Sequence, residues 1–186
     1  SPSSLKSYQS WSLRFFFERV AQTRKPTTVA LHVGKAIHAT LQSFNLARWR
    51  GEDSSEAIME KAFSSHFLEL EKTEGPVDYA DEETRQKVRS CTWNTVKAYM
   101  ASDKVTSQMP LGVEVGLSAT IPGLPVPVRG GIDLVQHDLT AVDYKSAAAK
   151  PDAEHAAFDH ELQLVTYQMM IEEAAGDTPP SLDLIY

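Results

Sequence analysis

The triplet Asp143-Tyr144-Lys145 is the part of this chain whose residue types speak most directly of chemistry. Residues two apart on a strand point the same way. Asp143 and Lys145 therefore share a face, and Val142 and Tyr144 are left to pack on the other. A carboxylate beside an ammonium suits metal-assisted phosphodiester cleavage. The carboxylate holds a hard cation, the cation activates a water and screens the phosphate, and the lysine orients that water or stabilises developing charge. The same triplet also makes an ordinary surface ion pair. A second acid closes the run Gly130-Gly131-Ile132-Asp133. Paired glycines let a ligand or another backbone come close. Ile132 is expected to face the core and Asp133 a cleft. A turn at His137-Asp138 folds this strand back on the next, in a register that brings Asp133 near Asp143. Two carboxylates so placed repel, and a bound cation relieves the repulsion. The plain alternative is a polar strand face with a glycine bulge.

Two further patterns lie on helices. Gly34 and His38 are four apart and stack on one helical face. The glycine lets the helix sit close to a sheet, and the histidine is a potential metal ligand; taken alone it reads equally as a structural or solvated residue. Gln163 and Tyr167 also share a face, and both side chains can hydrogen-bond to phosphate, sugar or base edges. Without the other patterns this is only an amphipathic helix.

The elements that must position these residues follow from periodicity. Ser3 or Ser4 is expected to cap a first helix running through Phe17 and Val20, broken at Pro26. Thr27 or Thr28 caps a second, with Val33, Ile37, Leu41 and Phe44 on one stripe. Amphipathic helices are predicted over 55–70 and 81–101, separated by a loop at Gly75-Pro76. Beyond Pro110 the period becomes alternating. Val113, Val115, Leu117, Ala119 and Ile121 are expected on one face of a strand, and Glu114, Gly116, Ser118 and Thr120 on the other. Strands over 126–136 and 141–145, a helix over 158–174 and a strand from 182 complete the chain. The pattern predicts an α/β fold, a mixed central sheet flanked by helices with an N-terminal helical region.

With 186 residues the chain suits one domain. Residues 1–105 form its helical part, with the His38 motif, and 106–186 its sheet core. Because it ends inside a strand, a fragment of a longer protein is expected. No run approaches the ~20 apolar residues that span a bilayer, so no membrane partner is expected, and the location is read as cytoplasmic. A single cysteine, Cys91, excludes an internal disulfide framework and is expected to be a small buried residue. The net charge of −7 counts against broad nonspecific nucleic-acid binding. Arg14, Arg19, Arg24, Lys25, Lys35, Arg48 and Arg50 nevertheless crowd the first part of the chain, as a basic patch or as a solvated helix surface.

In combination and order, the motifs resemble the RecB-like branch of the PD-(D/E)xK nucleases. That branch carries a helical Gly-x-x-x-His, a Glu-bearing strand, a Gly-x-x-Asp strand, an Asp-x-Lys strand and a Gln-x-x-x-Tyr helix. Here they are Gly34 to His38, Glu114, Gly130 to Asp133, Asp143 to Lys145 and Gln163 to Tyr167. The opening Ser1-Pro2-Ser3-Ser4-Leu5-Lys6-Ser7-Tyr8 looks like the family's N-terminal helix. The resemblance implies a restriction-endonuclease-like core. It also implies Mg²⁺ or Mn²⁺ held by His38, Asp133, Asp143 and the Tyr144 carbonyl, with Lys145 acting on the attacking water. Gln163 and Tyr167 would position DNA, and Glu114 would assist at the edge of the site. Relatives of the AddB and CRISPR-associated kinds hold an iron–sulfur cluster on four cysteines. Trp11 stands where the first of these would align, so no iron–sulfur cluster is expected. Packing through Trp11 and Phe15, Phe16 and Phe17 is expected to hold the termini together instead.

The function so implied is metal-dependent DNA hydrolysis, as an exonuclease on single strands or duplex ends in repair and recombination, beside a helicase partner or fused domain. The alternative is a non-catalytic DNA-binding or scaffolding module of a helicase–nuclease complex. A third reading is an unrelated metal-dependent hydrolase of a small phosphoester.

Overall fold

The computed structural model describes residues 1–23, 27–75, 77–147 and 152–186. Pro26, Arg24, Lys25 and Pro76 fall outside them. Helix α1 (Pro2–Ser10) is capped by Ser1 rather than Ser3 or Ser4, because Pro2 takes the first helical position, where its missing N–H costs nothing. The expected single N-terminal helix is interrupted at Trp11 and resumes as α2 (Ser12–Phe15), which widens into a π-helical turn over Phe16–Val20. Thr28 caps the long α3 (Val29–Arg50), whose Ile37, Leu41 and Phe44 are buried along the expected stripe. Helices α4 (Glu56–Thr73) and α5 (Glu82–Met100) pack beside it, followed by the short α6 (Asp103–Thr106).

The sheet has four strands in the order β1 (Pro110–Ala119), β2 (Val128–Gln136), β3 (Ala141–Tyr144) and β4 (Leu182–Ile185). β1, β2 and β3 form an antiparallel meander, and β4 returns parallel to β3 after the crossover helix α7 (Ala153–Ala175). Asp152 starts α7 earlier than the apolar pattern suggests, accepting the N–H groups of Glu154 and His155. Helices cover both faces of the sheet. On one, α3, α4 and α5 bury Phe63, Phe67, Trp93 and Val96 with Leu134, Val142 and Tyr144. On the other, α7 buries Tyr167, Met170 and Ile171 with Ile132, Val135 and Ala141. Each large apolar side chain so enclosed contributes about 1.5–3 kcal/mol. The expected mixed sheet flanked by helices is the architecture observed.

Three expectations need correcting. Val113 and Val115 do not share a face: Val113 packs with the α3-side core and Val115 with the α7-side core. Their partners on β2, Leu134 and Ile132, divide the same way. Glu114 lies between them at φ 51°, in the left-handed region, and alternation alone does not anticipate such a twist. Cys91 is exposed, on the outer side of α5 away from Thr92, Trp93 and Val96. Trp11, Phe16 and Phe17 are also exposed and do not tie the termini together. That role falls to a hydrogen bond from the Lys6 ammonium to the Asp159 carbonyl, and to buried Pro2 beside Gly130.

Candidate active site

The site lies where β1, β2 and β3 lose regular pairing. The β2–β3 ladder runs through Leu134↔Val142 and no further. The next residues, Asp133 and Asp143, would stand directly opposite, where like charges repel. Instead the Asp133 carboxylate accepts the backbone N–H of Tyr144 at 2.8 Å. A side chain thus replaces a ladder bond and the strands splay. On the other side Asp133 faces Glu114, the two falling between the pairs Val113↔Leu134 and Val115↔Ile132. A non-glycine residue held at positive φ costs on the order of 1–3 kcal/mol and tends to persist where it serves a site.

Helix α3 crosses this opening. Gly34 faces the segment just beyond β3, where a Cβ built on it would lie 2.8 Å from the Ser146 Oγ, a hydroxyl that can turn aside. One turn on, His38 Nδ1 stands 3.5 Å from Asp133 Oδ2. The Asp133 hydrogen bond, outweighing burial, holds the His38 imidazole above its ordinary pKa, and the Asp143 charge and the Tyr144 carbonyl push the same way. Partial burial, then the Asp133 charge, push Glu114 above the usual carboxylate range. One ligand atom each from His38, Glu114 and Asp133 lie within 4.8 Å of one another. Donors this close are near enough for side-chain adjustment to bring them onto a shared divalent ion. An imidazole with two carboxylates suits Mn²⁺ at least as well as Mg²⁺.

Asp143 and Lys145 project together from the end of β3. Lys145 Nζ is 2.6 Å from Asp143 Oδ2, which is buried and meets that ammonium off the hydrogen-bond direction, accepting no hydrogen bond. Asp143 is not among the three donors that lie within 4.8 Å of one another, and its Oδ2 is held by the Lys145 charge. The other oxygen, Oδ1, is saturated by donors on α7. Gln163 Nε2 donates to it at 2.7 Å and Tyr167 Oη at 2.9 Å. Gln163 Nε2 also donates to Tyr167 Oη at 2.6 Å, while its Oε1 accepts from Lys145 Nζ at 3.0 Å. Burial and the Asp143 charge push the Tyr167 phenol far up, so it remains a donor. Gln163 and Tyr167 therefore brace the Asp143–Lys145 pair directly.

All eight residues singled out from the sequence, His38, Glu114, Asp133, Asp143, Tyr144, Lys145, Gln163 and Tyr167, lie in this region. They form two connected groups, one centred on Asp133 and one on Asp143. Some supporting residues escaped the sequence reading. His160 Nδ1 lies 3.3 Å from Gln163 Oε1; its helical spacing of three from Gln163 was the available signal. Asn45 donates to the Tyr144 hydroxyl at 2.8 Å, and the Tyr99 ring packs edge-on against Tyr144, anchoring β3 from below with no mark in the sequence pattern. Two of the basic residues of α3 are engaged within the fold. Arg48 donates to the carbonyls of Val105, Thr106 and Gln108, and Lys35 pairs with Glu74.

A sequence profile of the PD-(D/E)XK nuclease superfamily matches residues 1–186, the whole chain, in agreement with the sheet, its helices and the acidic site. The chain belongs to the PD-(D/E)XK nuclease superfamily. Comparison with curated proteins found no match, and comparison with solved structures found none. Membership of this superfamily makes nucleic acid the substrate class and a divalent metal the expected cofactor. Among the described residues no helix is long and apolar enough to cross a membrane.

Proposed function

We propose that this member of the superfamily is a Mg²⁺- or Mn²⁺-dependent deoxyribonuclease of the RecB-like branch, acting as an exonuclease in DNA repair or recombination. The observation that carries the reading is the approach of His38, Glu114 and Asp133 to within 4.8 Å of one another, beside the end of β3 that presents the Asp143–Lys145 ion pair. A degenerate, binding-only module has no need of that arrangement. The branch assignment is supported by the order of Gly34-x-x-x-His38, Glu114, Asp133, Asp143-x-Lys145 and Gln163-x-x-x-Tyr167 along the chain. A motor partner or fused helicase domain is part of the same reading.

His38, Asp133, Asp143 and the Tyr144 carbonyl would hold the ion, with Glu114 at the outer edge. A bound divalent ion lowers the pKa of water and neutralises phosphate charge. Lys145 is held by Asp143 and Gln163 with its ammonium toward the site, where it orients the attacking water and stabilises charge building on the phosphoryl oxygens. In the hydrolysis the water oxygen bonds to phosphorus and gives up a proton, the bond from phosphorus to the leaving sugar oxygen breaks, and that oxygen takes up a proton in balance. Tyr167 and Gln163 keep Asp143 in place throughout, as donors to its Oδ1.

The test is cleavage of end-labelled linear DNA and of circular DNA with Mg²⁺, Mn²⁺ or EDTA. Release of end label with metal, none with EDTA, and resistance of closed circles are expected. Asp143→Asn should abolish turnover. Full metal-dependent cleavage by that variant would overturn the assignment.

A further inference from the structure

Beside the Lys145–Gln163 end of the site a groove of about 570 Å³ runs between the N-terminal helices and α7. We propose that this groove binds one unpaired nucleic-acid strand, stacking a base on Trp11 and delivering the adjacent phosphate to Lys145, an inference that rests on the nuclease reading above. Trp11 lines the groove and remains 60% exposed. It sits at the bend between α1 and α2, in a non-helical conformation that turns it out of the helical stripe. An aromatic face beside cations is the common platform for single strands, since every unpaired base offers a π-face.

Charge points the same way. The chain carries a net −7, yet the groove is lined by Lys6, Arg14 and Lys145 against the single acid Asp159. Asp159 turns its carbonyl to the Lys6 ammonium, and Arg14 pairs with Glu18 at 2.8 Å across an exposed helix surface, a contact easily exchanged for a phosphate. The groove is continuous with the chemistry, because Lys145 and Gln163 belong to both, and His160 adds a polar group between them. A duplex fits this surface poorly. Its bases are already stacked and unavailable to Trp11, and tight duplex binders neutralise roughly 6–10 phosphates, far more than these cations can meet.

The experiment is fluorescence anisotropy of labelled oligothymidylate and of a blunt hairpin of equal length, both in EDTA so that no cleavage occurs. Oligothymidylate should bind more tightly than the hairpin. Trp11→Ala should weaken that binding by roughly tenfold, the scale of one lost stacking contact, whereas Trp11→Phe should retain most of it. Trp49→Ala removes an equally exposed tryptophan, 53% accessible on α3 and outside the groove, and should change nothing. The logarithmic salt slope should be about −2, as expected for some three neutralised phosphates on a single strand. Arg14→Gln, an exposed change that leaves folding intact, should reduce that slope by about 0.7; it decides the matter if Trp11→Ala misfolds by circular dichroism. Wild-type affinity in the Trp11→Ala and Arg14→Gln variants, or equal binding of the hairpin, would overturn the inference. Hydrolysis of bis(4-nitrophenyl) phosphate with Mn²⁺ by the unmodified chain reports the chemistry separately. An inactive chain whose strand binding depends on Trp11 removes the nuclease reading alone, and an active chain whose binding ignores Trp11 removes the groove alone.

Discussion

Asp133→Asn should leave the metal-free protein nearly as stable as before while removing most of its stabilisation by metal. The asparagine carbonyl can still accept the Tyr144 N–H that Asp133 accepts at 2.8 Å, so the splayed end of β3 keeps its tether. What is lost is the attraction to His38 across 3.5 Å, in a pair whose histidine is partly exposed, and such pairs contribute about 0–1 kcal/mol. What is gained is relief of Glu114, whose pKa is held up in part by the Asp133 charge. The two offset, and the metal-free shift should stay under about 1 kcal/mol. With Mn²⁺ at about 100 times its dissociation constant, the unmodified chain gains about 2.7 kcal/mol by mass action. At roughly 2–4 °C per kcal/mol for a chain of this size, its melting temperature should rise by about 5–11 °C. The asparagine variant has lost an anionic member of the group formed with His38 and Glu114 and should gain little. Thermal melts by circular dichroism in EDTA and in graded MnCl₂ measure both quantities. A variant whose melting temperature climbs with Mn²⁺ in parallel with the unmodified chain would refute the reasoning, because Asp133 would then hold no ion.

Lys145→Met should lower kcat on DNA by about 10²–10³, the usual loss when one preorganised donor to a transition state is removed, and should raise KM by a much smaller factor through the lost phosphate contact in the groove; steady-state kinetics on a labelled oligonucleotide reads the split. Gly34→Ala should be tolerated, because the atom its Cβ meets at 2.8 Å is the hydroxyl of exposed Ser146, free to rotate. The gain in helix propensity, about 0.5–1 kcal/mol, should show as a higher urea midpoint, whereas Gly34→Leu should lower it by about 1–3 kcal/mol through overpacking against the end of β3. His32 is fully buried with neither ring nitrogen bonded, and burial pushes its pKa below the ordinary 6.5. Its neutral form is thus favoured in the fold. That contribution is complete above about pH 6.5, the unfolded value, and is lost as pH falls through the lower folded value. His32→Leu should flatten the fall in urea midpoint between pH 7.5 and 5, and an unchanged slope would contradict the assignment.

Several features were legible because they depend on short-range periodicity. The common face of Asp143 and Lys145 follows from the pleat, and the α3 stripe of Ile37, Leu41 and Phe44 from the helical repeat. The order of motifs carried the superfamily, since each weak pattern constrains the next. Other features were hidden because they depend on what packs from a distance. Nothing near Glu114 announces that the chain twists there and sends Val113 and Val115 to opposite cores. The missing cluster cysteines suggested that Trp11 and the neighbouring phenylalanines would pack the termini together, yet Trp11, Phe16 and Phe17 are exposed. The role of Gln163 was likewise out of reach, because its acceptor and donor partners lie on a strand 18 to 20 residues away.

By itself the sequence determined which residues carry charge, which faces of its helices and strands are apolar, and hence the α/β layering with its chemistry on the polar sides. Tertiary structure alone decided that β2 and β3 part after Leu134↔Val142, that α3 crosses the gap at Gly34, and that His38, Glu114 and Asp133 come within 4.8 Å of one another. The reason is one of range. Side-chain direction along an element is set by local backbone geometry, whereas the separation between elements is set by the packing of two cores on opposite sides of one sheet, to which residues far apart in the chain contribute together.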